Sequence, residues 1–200
     1  ADLVLVLDRS ESMAVKGQME VLRMGVAAFL RNIDLSLHRV AMVTVGTEAE
    51  TLLTLGQDRE ALQRALAELT VEGVTDLGGG LHQDRRVLDA RREGALPLVI
   101  LVSDGSTAFP RPSLDDPWWQ AHAWLQLEGI SSFVACVSQA QGCAQRMVSL
   151  ATGADHFRIA PTGAELETVL LDLAGRLDRP RFQRLSVLQN LNGAYFHESP

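Results

Sequence analysis

The chain has 200 residues, enough for one domain with a short extension, and its composition (46% hydrophobic, 22% charged, 16 Gly and 7 Pro) is that of an ordinary globular protein with one core. A net charge of -7 argues against a nucleic-acid or anionic-membrane binder, which needs a basic footprint. No apolar run reaches the roughly 20 residues of a membrane span.

The chain opens almost directly on Leu3-Val4-Leu5-Val6-Leu7, a continuous apolar run of strand type with no visible signal peptide before it. So abrupt a start is expected of an excised domain, and the missing targeting segment then says nothing of location. Residues 18–31 follow as a helix, with Met19, Leu22, Val26, Phe29 and Leu30 on one face. Val40 to Val45 is a second strand, and Glu50 to Leu55 a short third one, expected antiparallel at an edge. Asp58 to Leu69 is an amphipathic helix striped by Leu62, Leu66 and Leu69.

Gly78-Gly79-Gly80 opens the next helix, Leu77 to Arg92, and Leu98 to Val102 is the most apolar strand. Pro117, behind Asp115 and Asp116, sits at a first helical position, and its helix runs to about Leu127. Ser132 to Val137 is a strand, Cys143 to Ala151 a helix, and His156 to Ile159 a short strand. Thr162 and Glu165 form a capping-box pattern ahead of a helix carrying Leu166, Val169, Leu170, Leu173 and Leu177.

Strands alternating with helices predict an α/β fold: a doubly wound, Rossmann-like, mostly parallel sheet with one antiparallel edge strand and helices on both faces. The pattern ends near Leu177, and Asp178-Arg179-Pro180 reads as a boundary. One domain is therefore expected over 1–178. Residues 179–200 form an extension, either extended structure or the start of a following domain.

In such sheets ligands sit outside the carboxyl ends of the strands, where strand order reverses. The first strand ends in Asp8-Arg9-Ser10-Glu11-Ser12, the central one in Ser103-Asp104-Gly105, and a third loop supplies Gly73-Val74-Thr75-Asp76. If those strands are neighbours, two carboxylates (Asp8, Asp104) and three hydroxyls (Ser10, Ser12, Thr75) converge. An all-oxygen set without sulfur or imidazole suits a hard cation, Mg²⁺ or Mn²⁺, with waters completing the shell. So few protein charges leave the metal electrophilic and favour an acidic group of a partner as its last ligand. Singly, each residue reads as a strand-end carboxylate or a turn former; the expectation rests on the set.

This pattern closely resembles the von Willebrand factor A domain family, whose metal-ion-dependent adhesion site is Asp-x-Ser-x-Ser after the first strand, then a Thr, then an Asp. Asp8, Ser10, Ser12, Thr75 and Asp104 match it, and the resemblance covers roughly residues 1–177. It implies that Ser10 and Ser12 coordinate through hydroxyls and that Thr75 joins directly when a ligand is bound. Asp8 and Asp104 would hold the metal directly or through waters. Glu11 departs from the small residue common there and is read as solvated. The family implies a protein-binding module for adhesion or assembly.

Two settings are open. One is extracellular or on a bacterial cell surface, since the stretch around Cys136 and Cys143 is similar to secreted members with paired cysteines. The other is cytoplasmic, beside an AAA-type ATPase as in chelatase-like relatives. Whether the cysteines pair is left open, because two are too few to establish an oxidising compartment.

An enzyme is the reading of another class. A haloacid-dehalogenase-like phosphatase needs a second Asp two positions after Asp8, where Ser10 stands. It also needs a distant lysine, and Lys16 is the only one among 18 basic residues. No Gly-x-Ser-x-Gly elbow supports a serine hydrolase. Trp118, Trp119 and Trp124 read as core rather than as an aromatic rim. Arg85, Arg86, Arg91 and Arg92, interleaved with Asp84, Asp89 and Glu93, read as a solvated face. His38, His82, His122, His156 and His197 lack zinc spacing. No Walker lysine follows Gly78-Gly79-Gly80, which is read as allowing a close approach of its helix to the metal loop.

Overall fold

The structure is a computed structural model that describes residues 1–74, 77–106, 123 and 125–179. Its strands are β1 (Asp2–Asp8), β2 (Arg39–Val45), β3 (Ala49–Gly56), β4 (Pro97–Ser103), β5 (Ser131–Cys136) and β6 (Phe157–Ile159). The main helices among the described residues are α1 (Gln18–Asn32), α2 (Arg59–Glu68), α3 (Leu77–Leu88), α4 (Gln141–Met147) and α5 (Gly163–Leu177). One sheet takes the order β3-β2-β1-β4-β5-β6. Only β2 and β3 pair antiparallel, so the mostly parallel sheet with an antiparallel edge is as expected.

The central strands are apolar along their whole length because helices cover both faces. All seven residues of β1 and of β4 are buried. Alternate side chains divide between two cores. Leu3, Leu5, Leu7, Met42 and Ile100 meet Leu22 and Phe29 of α1 and Leu166 and Leu170 of α5. On the opposite face Val4, Val6, Val43, Val99 and Leu101 meet Leu88, Leu125 and Met147. The α1–α5 contact is close enough that a Cβ on Gly25 would lie 2.4 Å from Leu166 Cγ. Among the described residues no helix is long and apolar enough to cross a membrane.

Helix starts follow the sequence signals. Asp58 caps α2 through Ala61 N–H (2.9 Å). Thr162 and Glu165 exchange both bonds of a capping box at the start of α5. At the far end of α5, Asp178 meets buried His38 Nε2 at 3.0 Å.

Three expectations need correction. The third helix ends at Leu88, not Arg92, because Ala90 and Arg91 tighten into bonds to Val87 and Leu88 carbonyls. Buried Asp2 then draws in Arg92, accepting from its main-chain N–H at 2.7 Å and its Nε at 2.9 Å, with Arg39 as a second guanidinium partner. Together they lower the Asp2 carboxyl to about 2, against the upward pull of burial.

The helix read over 143–151 starts at Gln141 and gives way at Val148 to a short 3₁₀ turn. Asp84 of α3, read as part of a solvated face, is fully buried. At Gly80 the same helix presses on the sheet, since a Cβ there would lie 2.3 Å from Val45 Cγ2. The tryptophan-bearing segment, Thr75 and residues 180–200 lie outside the described residues, so the expected boundary at 178 is seen only from its amino side.

Candidate metal centre

β1 lies between β2 and β4, so the chain order reverses at the β1–β4 crevice. Both strands deliver a carboxylate at their carboxyl ends. Asp8 ends β1 with 0% exposure, and Asp104 follows β4 with 6%.

Each carboxylate is aimed by the chain's own donors. Asp8 Oδ1 accepts from Ser10 N–H at 2.9 Å and from Ser10 Oγ at 2.6 Å. Asp8 Oδ2 accepts from Ser103 Oγ at 2.5 Å. Ser103 Oγ in turn accepts from Gly105 N–H at 3.0 Å, which fixes the turn carrying Asp104. Asp104 Oδ1 accepts from Ser106 N–H at 2.8 Å. Ser10 Oγ and Ser12 Oγ stand 3.0 Å apart. The two-residue spacing of Asp8, Ser10 and Ser12 thus folds three oxygens onto one side of a tight turn.

Burial pushes the Asp8 carboxyl up to about 6 from the usual 3.8; the hydrogen bonds from Ser10 and Ser103 pull it back, and the Asp104 charge adds to the rise. Its charge is under-compensated, and a cation among these oxygens would relieve it. Carboxylate and hydroxyl donors fit a hard ion such as Mg²⁺. Among the described residues no group of three or more His, Cys, Asp or Glu could hold a metal, so a soft-metal cluster is not formed there.

The third loop is stitched to the first. Glu72 N–H donates to Arg9 O at 2.7 Å, and Glu11 N–H donates to Gly73 O at 2.8 Å. The Arg9 guanidinium reaches Glu72 at 2.9 Å and Glu50 at 3.4 Å. Gly73 has φ +74°, and a Cβ there would lie 2.1 Å from Thr47 Oγ1. This glycine lets the loop close on the turn between β2 and β3 just before Thr75, which itself lies outside the described residues. The Glu11 side chain is exposed, as expected.

A floor lies under the last loop. Cys136 at the end of β5 and Cys143 in α4 are bridged, which answers the question the sequence left open. Gly105, at φ +73°, rests on that bridge: a Cβ would sit 2.7 Å from Cys143 Sγ.

The family model described as von Willebrand factor type A domain matches residues 3–106. The chain belongs to that family. A relative of this von Willebrand factor type A (VWA) domain, an uncharacterized Mycobacterium tuberculosis protein, is 30% identical over 115 residues, 55% of this chain and 18% of the relative. The chain thus spans under a fifth of that relative's length.

Solved VWA structures share the fold. The VWA domain of the type V pili tip protein Mfa5 from Porphyromonas gingivalis has a TM-score of 0.76 at 15% identity, covering 88% of this chain and 94% of that one. The pilus adhesin SpaC from Lactobacillus rhamnosus GG has 0.74 at 18%, covering 88% and 30%. A VWA protein from Catenulispora acidiphila has 0.71 at 18%, covering 88% and 42%.

Around the VWA site the sequence reading missed Ser103, Gln18 and the Arg9–Glu72 pair. Ser103 sits beside a quoted motif residue, and that adjacency was the available signal. Gln18 had no signal, because its partners come from loops far apart in sequence.

Proposed function

We propose that this VWA domain is a protein-binding module for adhesion or assembly, built around a divalent cation, Mg²⁺ or Mn²⁺, held by Asp8, Ser10, Ser12, Thr75 and Asp104. When bound, the cation supplies an electrophilic position that an Asp or Glu carboxylate of a protein partner can cap. The chain's residues do the rest: Ser10 and Ser12 present hydroxyls, Asp8 and Asp104 balance charge, and Ser103 with the main chain holds both carboxylates in place. The observation that carries this reading is the convergence of Asp8, Ser10, Ser12 and Asp104 at the switch point, with Asp8 buried and short of positive charge.

The reading is of a binder, not an enzyme. Ser10 stands where a phosphatase needs a second Asp, and Lys16 is exposed on the turn before α1 rather than set in a distant loop. We read residues 1–178 as the VWA domain and 179–200 as a C-terminal extension, either extended structure or the start of a following domain. An extracellular or cell-surface setting is supported by the Cys136–Cys143 bridge, since disulfides persist in oxidising compartments.

Calorimetric titration with Mg²⁺ and Mn²⁺ tests the site. Binding is expected in the wild type and is expected to vanish in Asp8→Ala. Equal binding in the variant would overturn the assignment.

A further inference from the structure

Gln18 is the first residue of α1, yet its side chain is only 7% exposed. The chain reaches it through a turn in which Lys16 (φ 55°) and Gly17 (φ 72°) are both left-handed. Lys16 is the one non-glycine with positive φ among the described residues. A lysine adopts that conformation only where the surroundings over-determine it. The turn swings Gln18 back beneath the Asp8–Ser12 loop, and its main-chain N–H bonds to the Met13 and Val15 carbonyls.

With its side-chain nitrogen turned toward its two acceptors, the Gln18 amide lies 3.1 Å from Ser12 O and 3.1 Å from Asp104 Oδ2. Both of its hydrogens are then used. Asp104 Oδ1 is already held by Ser106 N–H, so each oxygen of this carboxylate has one fixed donor. One side chain thus joins the loop after β1 to the loop after β4, across 86 positions of sequence.

We infer that Gln18 is a positioning residue of the metal centre: it sets the spacing between the Ser12 and Asp104 donors, and with it the affinity and size preference for the cation. The inference rests on the metal reading above. A small ion that demands near-ideal octahedral geometry depends on that spacing more than Ca²⁺, which accepts irregular shells. Partners that orient a metal's ligands commonly govern affinity by about 10–100-fold.

The test compares wild type with Gln18→Met, which keeps length and bulk but donates nothing, and with Gln18→Ala. Calorimetry gives Kd for Mg²⁺ and Ca²⁺, and thermal denaturation in EDTA gives the metal-free Tm. We expect Mg²⁺ affinity to fall about tenfold and Ca²⁺ affinity to fall clearly less, so that Mg²⁺/Ca²⁺ selectivity narrows in whichever variant folds. A purely structural role would lower the metal-free Tm and leave that selectivity unchanged, and wild-type selectivity in a folded variant would overturn the inference. Absence of binding by the wild type would instead defeat the metal reading itself, and this inference with it.

Discussion

A carboxylate removed from water needs compensation, and the chain answers that need differently at three aspartates. Asp2 is buried between two arginines and is held ionised. Asp8 has hydroxyl and amide donors but, among the described residues, no cationic side chain bonded to it. Asp84 has less: among the described residues neither of its buried oxygens has a well-formed hydrogen bond, and burial raises its carboxyl well above the usual range, with only the Arg85 main chain pulling it back. A group whose folded pKa lies above its unfolded value contributes stability that is complete below the unfolded pKa. That contribution is lost as pH rises through the folded value. Asp84 therefore weakens the fold progressively above the ordinary carboxyl range. Asp84→Asn, of the same shape but uncharged at every pH, should match wild type near pH 4 and exceed it by about 1–3 kcal/mol at pH 7.5. Urea denaturation at the two pH values measures the gap; a gap that does not widen with pH would show that Asp84 has found a partner. Sequence reading put Asp84 on a solvated face because it is interleaved with Arg85, Arg86 and Asp89, which are indeed exposed, and only the docking of α3 decides which side one position takes.

At the scale of elements, strands and helices were legible because burial on both faces leaves continuous apolar runs in β1 and β4, and because period and caps mark α1, α2 and α5. The end of α3 was not legible. The chain tightens there into bonds from Ala90 and Arg91 to the Val87 and Leu88 carbonyls, and Asp2, some 90 positions away, then takes the Arg92 main-chain N–H. The bridge from β5 to α4 was equally undecidable from spacing alone, since a buried cysteine pair and a disulfide look the same in sequence. In the fold its consequence is mechanical: it supports Gly105 and hence the turn of Asp104. Closing so short a loop is worth about 2 kcal/mol in the chain-entropy treatment. Replacing both cysteines with serine should therefore cost roughly that much, and more if the buried hydroxyls find no partner. Urea midpoints of the non-reduced wild type and the double variant measure it, and identical midpoints would show that the bridge carries no stabilisation.

For the whole molecule, the doubly wound sheet collects the ends of β1 and β4 at one crevice, and four of the five expected site residues stand there with their oxygens already oriented. The alternation of strands and helices and the Asp-x-Ser-x-Ser spacing made that much readable in advance, given only that the two strands are neighbours; the donors that aim the carboxylates come from tertiary contacts and were not. An arrangement that gathers two carboxylates with no cationic side chain bonded to either among the described residues works against the metal-free fold. Asp8→Asn preserves the shape and can keep hydrogen bonds to Ser10 and Ser103 while removing one of the two charges. Its metal-free Tm should therefore exceed that of the wild type, as expected where a functional site is held at some expense of stability. Cation binding should act in the opposite sense. At Mg²⁺ about a hundredfold above Kd, linkage adds about 2.7 kcal/mol to the wild type. For a domain of this size that raises Tm by about 5–10 °C. Asp8→Asn should lose this increment, so that the two melting curves exchange order between EDTA and Mg²⁺. A variant curve below wild type in EDTA would mean that the Asp8 charge does not oppose the metal-free fold, and a variant that gains as much from Mg²⁺ as wild type would mean that the charge does not hold the cation.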